Sequence, residues 1–172
     1  MNTYPVTTDI QSDKFLVYSG KVKIDYIKNN IVLKSVQKHN TGTAELFKQI
    51  AMALCGQDIK NNIPTSIHLY ADDKFNSNAS PSNIRFNDRR LIYKENSGNP
   101  YYAVELEFLI PFNQLHADCN CIVLYSSDEF QLGTNLNGKP LAKIILNNDE
   151  KITISDTANI IITWTLEIKN DI

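Results

Sequence analysis

Ile160-Ile161-Ile162-Thr163-Trp164-Thr165-Leu166-Glu167-Ile168 carries the cleanest two-residue period in the chain. Ile160, Ile162, Trp164, Leu166 and Ile168 fall on one side, and Ile161, Thr163, Thr165 and Glu167 on the other. Successive side chains of a strand point to opposite faces, so this is a strand with one face in a core. The same period recurs upstream. Tyr102, Val104, Leu106, Phe108 and Ile110 alternate with Ala103, Glu105, Glu107 and Leu109, and the run ends at Pro111. Val22, Ile24 and Tyr26 alternate with Lys21, Lys23 and Asp25. Asn29-Asn30 then interrupts, and residues 31–36 form a second run. Two Asn in a row suit a tight hairpin, because Asn accepts positive φ at modest cost. Shorter strands are expected at 66–70, 89–93, 122–125, 141–146 and 151–154, the last two joined by Asn147-Asn148-Asp149-Glu150 as a hairpin.

One segment changes period. Between His39 and Gly56 the apolar residues Phe47, Ile50, Ala51 and Leu54 recur at helical spacing. Asn40, Thr41 or Thr43 offers an N-cap oxygen, and Gly56 stands where a left-handed residue closes a helix. The spacing predicts a single amphipathic helix over about residues 43–54. The fold expected from the whole pattern is mainly β: an antiparallel β-sandwich of about eight strands, with that helix on one edge or end. Residues 1–14 are polar and aperiodic, and are expected to be an extended N-terminal arm. Residues 15–172 are expected to form one sandwich domain.

Composition narrows the function classes. The chain has 172 residues with 17 Lys+Arg against 19 Asp+Glu, a formal charge of -2. That balance argues against a dedicated nucleic-acid binder, which would carry a basic excess. Apolar residues make up 42%, enough for a core and too many for a disordered chain. Three cysteines do not make a disulfide framework. Met1-Asn2-Thr3-Tyr4-Pro5 lacks the basic segment and apolar run of a signal peptide, and no apolar stretch reaches the roughly 18 residues that span a bilayer. A soluble, reducing compartment with no membrane partner is the expectation.

Four constellations bear weighing for chemistry. His116, Cys119 and Cys121 include zinc-ligand types, yet they sit within six residues with no second cluster, so packing is the expected role. Glu105 and Glu107 stand two apart on a strand, about 7 Å, a separation that would suit paired glycosidase carboxylates but also any solvated strand face. The acidic run Asp72-Asp73-Lys74-Phe75-Asn76-Ser77-Asn78 is dense in oxygen ligands but lacks the Gly and closing Glu of an EF-hand, which leaves a polar turn. All three arginines, Arg85, Arg89 and Arg90, fall within six residues, as a contact with an acidic partner or as a locally paired loop. Tyr101 and Tyr102 are a candidate sugar-stacking pair, with strand packing the plainer role. No H-E-x-x-H, G-x-S-x-G, P-loop or G-x-G-x-x-G is present. No catalytic residue, metal ligand or cofactor is assigned.

The order of these elements resembles a known class. A lysine-rich hairpin (residues 20–36) is followed by His39-Asn40-Thr41-Gly42-Thr43, an amphipathic helix ending Leu54-Cys55-Gly56, then Ile63-Pro64-Thr65-Ser66-Ile67-His68-Leu69-Tyr70, and the 160–168 strand closes the chain. Together they look like small virion structural proteins of tailed bacteriophages, most closely those of crAss-like phages, and like a β-sandwich unit of phage tail and baseplate proteins. The resemblance spans residues 20–168. In related tail units the segment after the proline often enters a Gly-rich loop, whereas here it enters Tyr70-Ala71-Asp72-Asp73. It implies a non-enzymatic component of the head, collar or tail, located in the virion after assembly in the bacterial cytoplasm. Its expected partners are other virion proteins and further copies of itself, without direct contact to nucleic acid. The interface residues expected are Tyr4, Pro5 and Val6 in the arm, Arg85, Arg89 and Arg90, and the 72–83 loop. Removal of residues 1–13 is expected to leave the sandwich folded and to block incorporation. The alternative is a carbohydrate-binding, host-adsorption module with a glycan partner, using Tyr101, Tyr102 and the same loop.

Overall fold

Trp164 lies at the centre of the sheet that the 160–168 pattern predicts, opposite Val22 on one neighbouring strand and Leu106 on the other, and all three are buried. The computed structural model describes residues 16–42, 44–57, 64–74, 78–79, 84–96, 99–126, 139–153 and 157–170. The arm with Tyr4, Pro5 and Val6, and most of the 72–83 loop, lie outside the described residues. The chain is mainly β. Its strands are β1 (Leu16–Lys28), β2 (Ile31–Gly42), β3 (Pro64–Tyr70), β4 (Ile84–Arg85), β5 (Asp88–Asn96), β6 (Asn99–Ile110), β7 (Cys121–Ser126), β8 (Lys139–Ile145) and β9 (Asn159–Asn170), with one helix, α1 (Ala44–Leu54).

Every pairing is antiparallel, and the strands divide into two sheets. The first runs β5-β6-β9-β1-β2 and the second β4-β3-β7-β8. β2 belongs to both, because its last residues, Thr41 and Gly42, leave β1 and pair with Lys143 and Ala142 of β8. A strand that changes sheet in this way makes the corner of a sandwich. The core between the sheets joins Val22, Ile24, Phe108, Ile162 and Trp164 of the first to Ile67, Leu69, Ile122, Leu124 and Ile144 of the second.

Local rules explain several joints. Asn29 and Asn30 adopt φ of 51° and 62°, the doubly left-handed turn whose twist matches a hairpin. Gly56 closes α1 at φ 71°, with its N–H on Ala53 O and the N–H of Gln57 on Met52 O, a Schellman closure. Gly20 lets two strands share space, because a Cβ there would stand 1.5 Å from Oδ1 of its register partner Asn40.

Three expectations change. The helix buries Leu46 and Gln49, with Ile50 half-buried, while Ala51 is exposed: of the predicted stripe Ile50 packs and Ala51 does not, the side chains of Phe47 and Leu54 lie outside the described residues, and the buried side includes an amide. Among the described residues, 151–153 do not pair with β8 as the expected hairpin, and Ile154 lies outside the described residues. Ile152 instead forms an isolated bridge to Cys119, while Lys34 reaches Asp149 O and Lys38 pairs with Glu150, holding the turn against β2. The strand missing from the sequence reading is β4, only two residues long.

Candidate functional site

β5 is the last strand of the first sheet, and its sequence decides what that edge presents. Neighbours on a strand face opposite ways. Arg89, Leu91 and Tyr93 therefore share the face turned towards the core, and Asp88, Arg90, Ile92 and Lys94 the outer one. The three arginines, grouped in sequence, are separated in space. Arg85 lies on β4 opposite Ser66 of the second sheet, Arg89 on the core side of β5, and Arg90 on its outer side.

At this end of the sandwich the core face is open among the described residues. Leu91 is 72% exposed, and Tyr93 and Tyr102, which pair across β5 and β6, are each 57% exposed. The two rings meet edge to face, with centroids 5.6 Å apart. Arg89 lies over the ring of Phe86, 5.4 Å from its centroid, and the Phe86 N–H reaches Thr65 O of β3. An open groove of about 460 Å³ runs along this mouth between Pro64 of the second sheet and Arg89, Leu91, Val104, Leu106 and Leu166 of the first. Its walls are apolar apart from Arg89 and Arg90, which gives it the character of a contact surface.

The outer face is a lattice of opposite charges. Arg90 pairs with Asp88 at 2.6 Å and with Glu107 at 3.6 Å, and Asn87 Nδ2 donates to Glu107. Lys94 stands 3.6 Å from Glu105 and 3.9 Å from Glu167, which Lys21 also approaches to 3.9 Å. The hydrogen bond from Arg90 holds the Asp88 carboxyl below the usual carboxylate range. Glu167 is 1% exposed although it sits on the outer side of β9, buried beneath the two lysines. Sequence alternation marks it as solvated and misses this, because the cover comes from strands distant in sequence. Glu105 and Glu107, the carboxylate pair at glycosidase spacing, are each tied to a cation on this face.

The two middle strands of the second sheet are buried on both sides, β3 from Ser66 to Tyr70 and β7 from Cys121 to Ser126. Ile67, Leu69, Ile122 and Leu124 face the main core, while Tyr70, Cys121, Val123 and Tyr125 form a separate cluster on the far side. There the Tyr70 and Tyr125 hydroxyls meet at 2.7 Å, and His68 stacks on Tyr70 at 4.7 Å. Burial pushes the Tyr70 and Tyr125 phenols upward, together with the hydrogen bond in the case of Tyr70. Burial also pushes the Cys121 thiol up to about 11 and that of Cys119 up to about 12. Both stay protonated near neutrality, the unreactive form of a thiol. The metal-ligand types grouped in sequence are dispersed: His116 is exposed, Cys119 belongs to the main core, and Cys121 lies in the far-side cluster. Among the described residues, no group of three His, Cys, Asp or Glu is placed to hold a metal ion. Asp72 Oδ1 accepts the N–H of Lys74, an Asx turn at the start of the acidic run.

Tyr101 and Tyr102 do not make a shared platform, because adjacent strand residues take opposite faces. The exposed aromatic pair is Tyr93 with Tyr102. Sequence reading misses it because cross-strand register, not proximity in sequence, joins the two. No helix among the described residues is long and apolar enough to cross a membrane. No protein-family model, curated protein or solved structure matches this chain.

Proposed function

We propose that this chain is a non-enzymatic structural component of a tailed-bacteriophage particle, in the head, collar or tail, and that it acts through protein–protein contacts among many copies and neighbouring virion proteins. The observation that carries the contact role is the uncovered edge of the first sheet, where Leu91, Tyr93 and Tyr102 face water beside an apolar groove. Regular strand edges with exposed apolar side chains invite pairing, and contiguous apolar surface marks interaction sites. The titratable groups singled out by sequence spacing favour the same reading: Glu105 and Glu107 are engaged by cations, and the Cys119 and Cys121 thiols are held protonated. The particle itself is argued from the sequence resemblance over residues 20–168. Mass-spectrometric counting of proteins in purified virions tests it. Several copies per particle are the expected result, and absence from the particle overturns the reading.

A second reading is a carbohydrate-binding adsorption module, and the observation that favours it is the exposed Tyr93–Tyr102 pair. With the rings edge to face, only one offers a flat face for stacking on a sugar. A glycan array probed with the chain and with Tyr102→Ala separates the two. Sugar binding abolished by the substitution establishes the module, and no binding to any glycan removes it.

A further inference from the structure

The two ends of the strand order are treated differently. At one end β4 spans two residues, and a short edge strand offers little to a partner. At the other end β5 spans nine residues, contains no proline, and runs against β6 without a register shift from the Asp88–Glu107 pair to the Asn96–Asn99 pair. Among the described residues no strand pairs with its second edge. Leu91 and Tyr93 on this strand are among the most exposed large apolar side chains described. A long, straight edge strand carrying large exposed apolar groups is the feature that natural sheets blunt or pair.

We infer that two copies of the chain join edge to edge through β5, antiparallel about a two-fold axis at Leu91, so that the two first sheets become one continuous sheet. This deepens the multi-copy reading and rests on it. A two-fold pairing is isologous: residue i meets residue j, and j meets i. Directly opposed residues of an antiparallel pair share a face, so only registers that oppose residues of the same parity are allowed. Charge then selects among them. With Leu91 opposite Leu91, Asp88 meets Lys94 of the second copy twice, and Arg89 meets the second copy's Tyr93 twice, a cation beside an aromatic ring. Arg90 meets Ile92, and no like charges oppose. Moving the axis one residue towards the C-terminus, to Ile92, opposes Arg90 to Lys94 twice. Moving it one residue the other way opposes Arg90 to Arg90. Centring it on Tyr93 sets Leu91 against Glu95. Of these registers only the Leu91 one opposes Asp88 to Lys94, and it does so without opposing like charges; the Ile92 register sets its two Arg89–Glu95 pairs against two Arg90–Lys94 repulsions, and the Tyr93 register opposes no charges to each other. The Leu91 register also puts the most exposed leucine of the strand at the centre of the contact, with Tyr93 and the groove continuing on both sides.

Lys94 is held only loosely within its own chain, at 3.6 and 3.9 Å from Glu105 and Glu167, and is free to reach the second copy's Asp88. Asp88 keeps its 2.6 Å bond to Arg90 and gains a second cation.

The test uses the whole chain. Of its cysteines, Cys55 is exposed while Cys119 and Cys121 are buried, so Cys55→Ser clears the surface of thiols. In that background Leu91→Cys sets two sulfurs across the axis on directly opposed residues, whose Cα atoms lie about 4.5–5.5 Å apart, within disulfide range. Mild oxidation is expected to convert Leu91→Cys to a covalent dimer. Tyr93→Cys, whose two copies stand four residues apart along the strand, about 13 Å, is expected to stay monomeric. By sedimentation equilibrium up to about 100 μM, the unmodified chain is expected to dimerise and Leu91→Lys to weaken the dimer by about a hundredfold or more. Circular dichroism checks that each variant keeps its strands; Leu91 is exposed, so the fold is expected to hold. A monomer at every concentration with no Leu91→Cys cross-link overturns the inference, as does equal cross-linking at positions 91 and 93. An oligomer that survives Leu91→Lys overturns this contact and leaves the multi-copy reading standing. A Leu91-linked dimer from a chain absent from virions sustains the contact and removes that reading.

Discussion

Removing one hydroxyl from the Tyr70–Tyr125 pair is expected to cost more than removing both in proportion. The oxygens meet at 2.7 Å, and the residues are 2% and 6% exposed, so this bond is made within the buried far-side cluster. Tyr70→Phe keeps the ring, its stacking on His68 and the packing against Cys121. It deletes only an oxygen and leaves the Tyr125 hydroxyl buried without its partner. An orphaned buried hydroxyl costs about 1–3 kcal/mol. For a domain of this size each kcal/mol shifts Tm by about 2–4 °C, so Tyr70→Phe is expected to melt about 2–12 °C lower. The double variant leaves no orphan, and its second deletion is expected to cost little or nothing. Urea unfolding of the four proteins closes the cycle, with an expected coupling of about 1 kcal/mol or more. Single losses that add to within about 0.5 kcal/mol would refute the reasoning, since the hydroxyls would then be satisfied independently.

Two further outcomes follow from the same burial and packing. The Cys121 and Cys119 thiols, raised to about 11 and about 12 from an ordinary 9.0, contribute stability that is fully present below pH 9. Above it the unfolded chain releases protons that the folded one keeps, so stability falls as pH rises, by about 1.4 kcal/mol per pH unit for each thiol. Urea midpoints measured from pH 8 to 10 are expected to drop, with a shallower slope in Cys121→Val; a flat profile contradicts the burial argument. Gly20→Ala forces the Asn40 side chain from its place and is expected to destabilise by about 1–3 kcal/mol in the same assay, whereas an unchanged midpoint would mean that Asn40 moves aside freely.

What could be read in advance depended on how local the governing physics was. The alternation of β9 and β6, the paired left-handed Asn29 and Asn30, and the closure of α1 at Gly56 are set by neighbours in sequence, and each is legible there. The burial of Leu46 and Gln49 in α1 is not, because the surface they pack on is made by β8, far along the chain. The Cys121–Ser126 run is buried on both faces, and its unbroken apolar character hides which side each residue takes. The candidate contact surface was only half visible. The arginine cluster lies in the segment that leads into β5, but Arg89 and Arg90 diverge to opposite faces, and no local pattern marks Leu91 and Tyr93 as exposed. That β5 ends its sheet is a property of strand order, which no local pattern encodes.

The position of β9 between β1 and β6 also orders events during synthesis. Lys28 closes β1, and Asn159 opens β9, 131 positions later. At about 5–20 residues per second the ribosome needs roughly 7 to 26 s to cover that interval. Until β9 is made, Val22, Ile24 and Tyr26 of β1 lack the strand that pairs beside them in the finished sheet, and from residue 110 onward so does β6. The first sheet is therefore complete only once the Trp164 strand is available to join β1 to β6. A nascent chain stalled before residue 159 would present both unjoined edges to chaperones, or to the same strands on a neighbouring ribosome of the polysome.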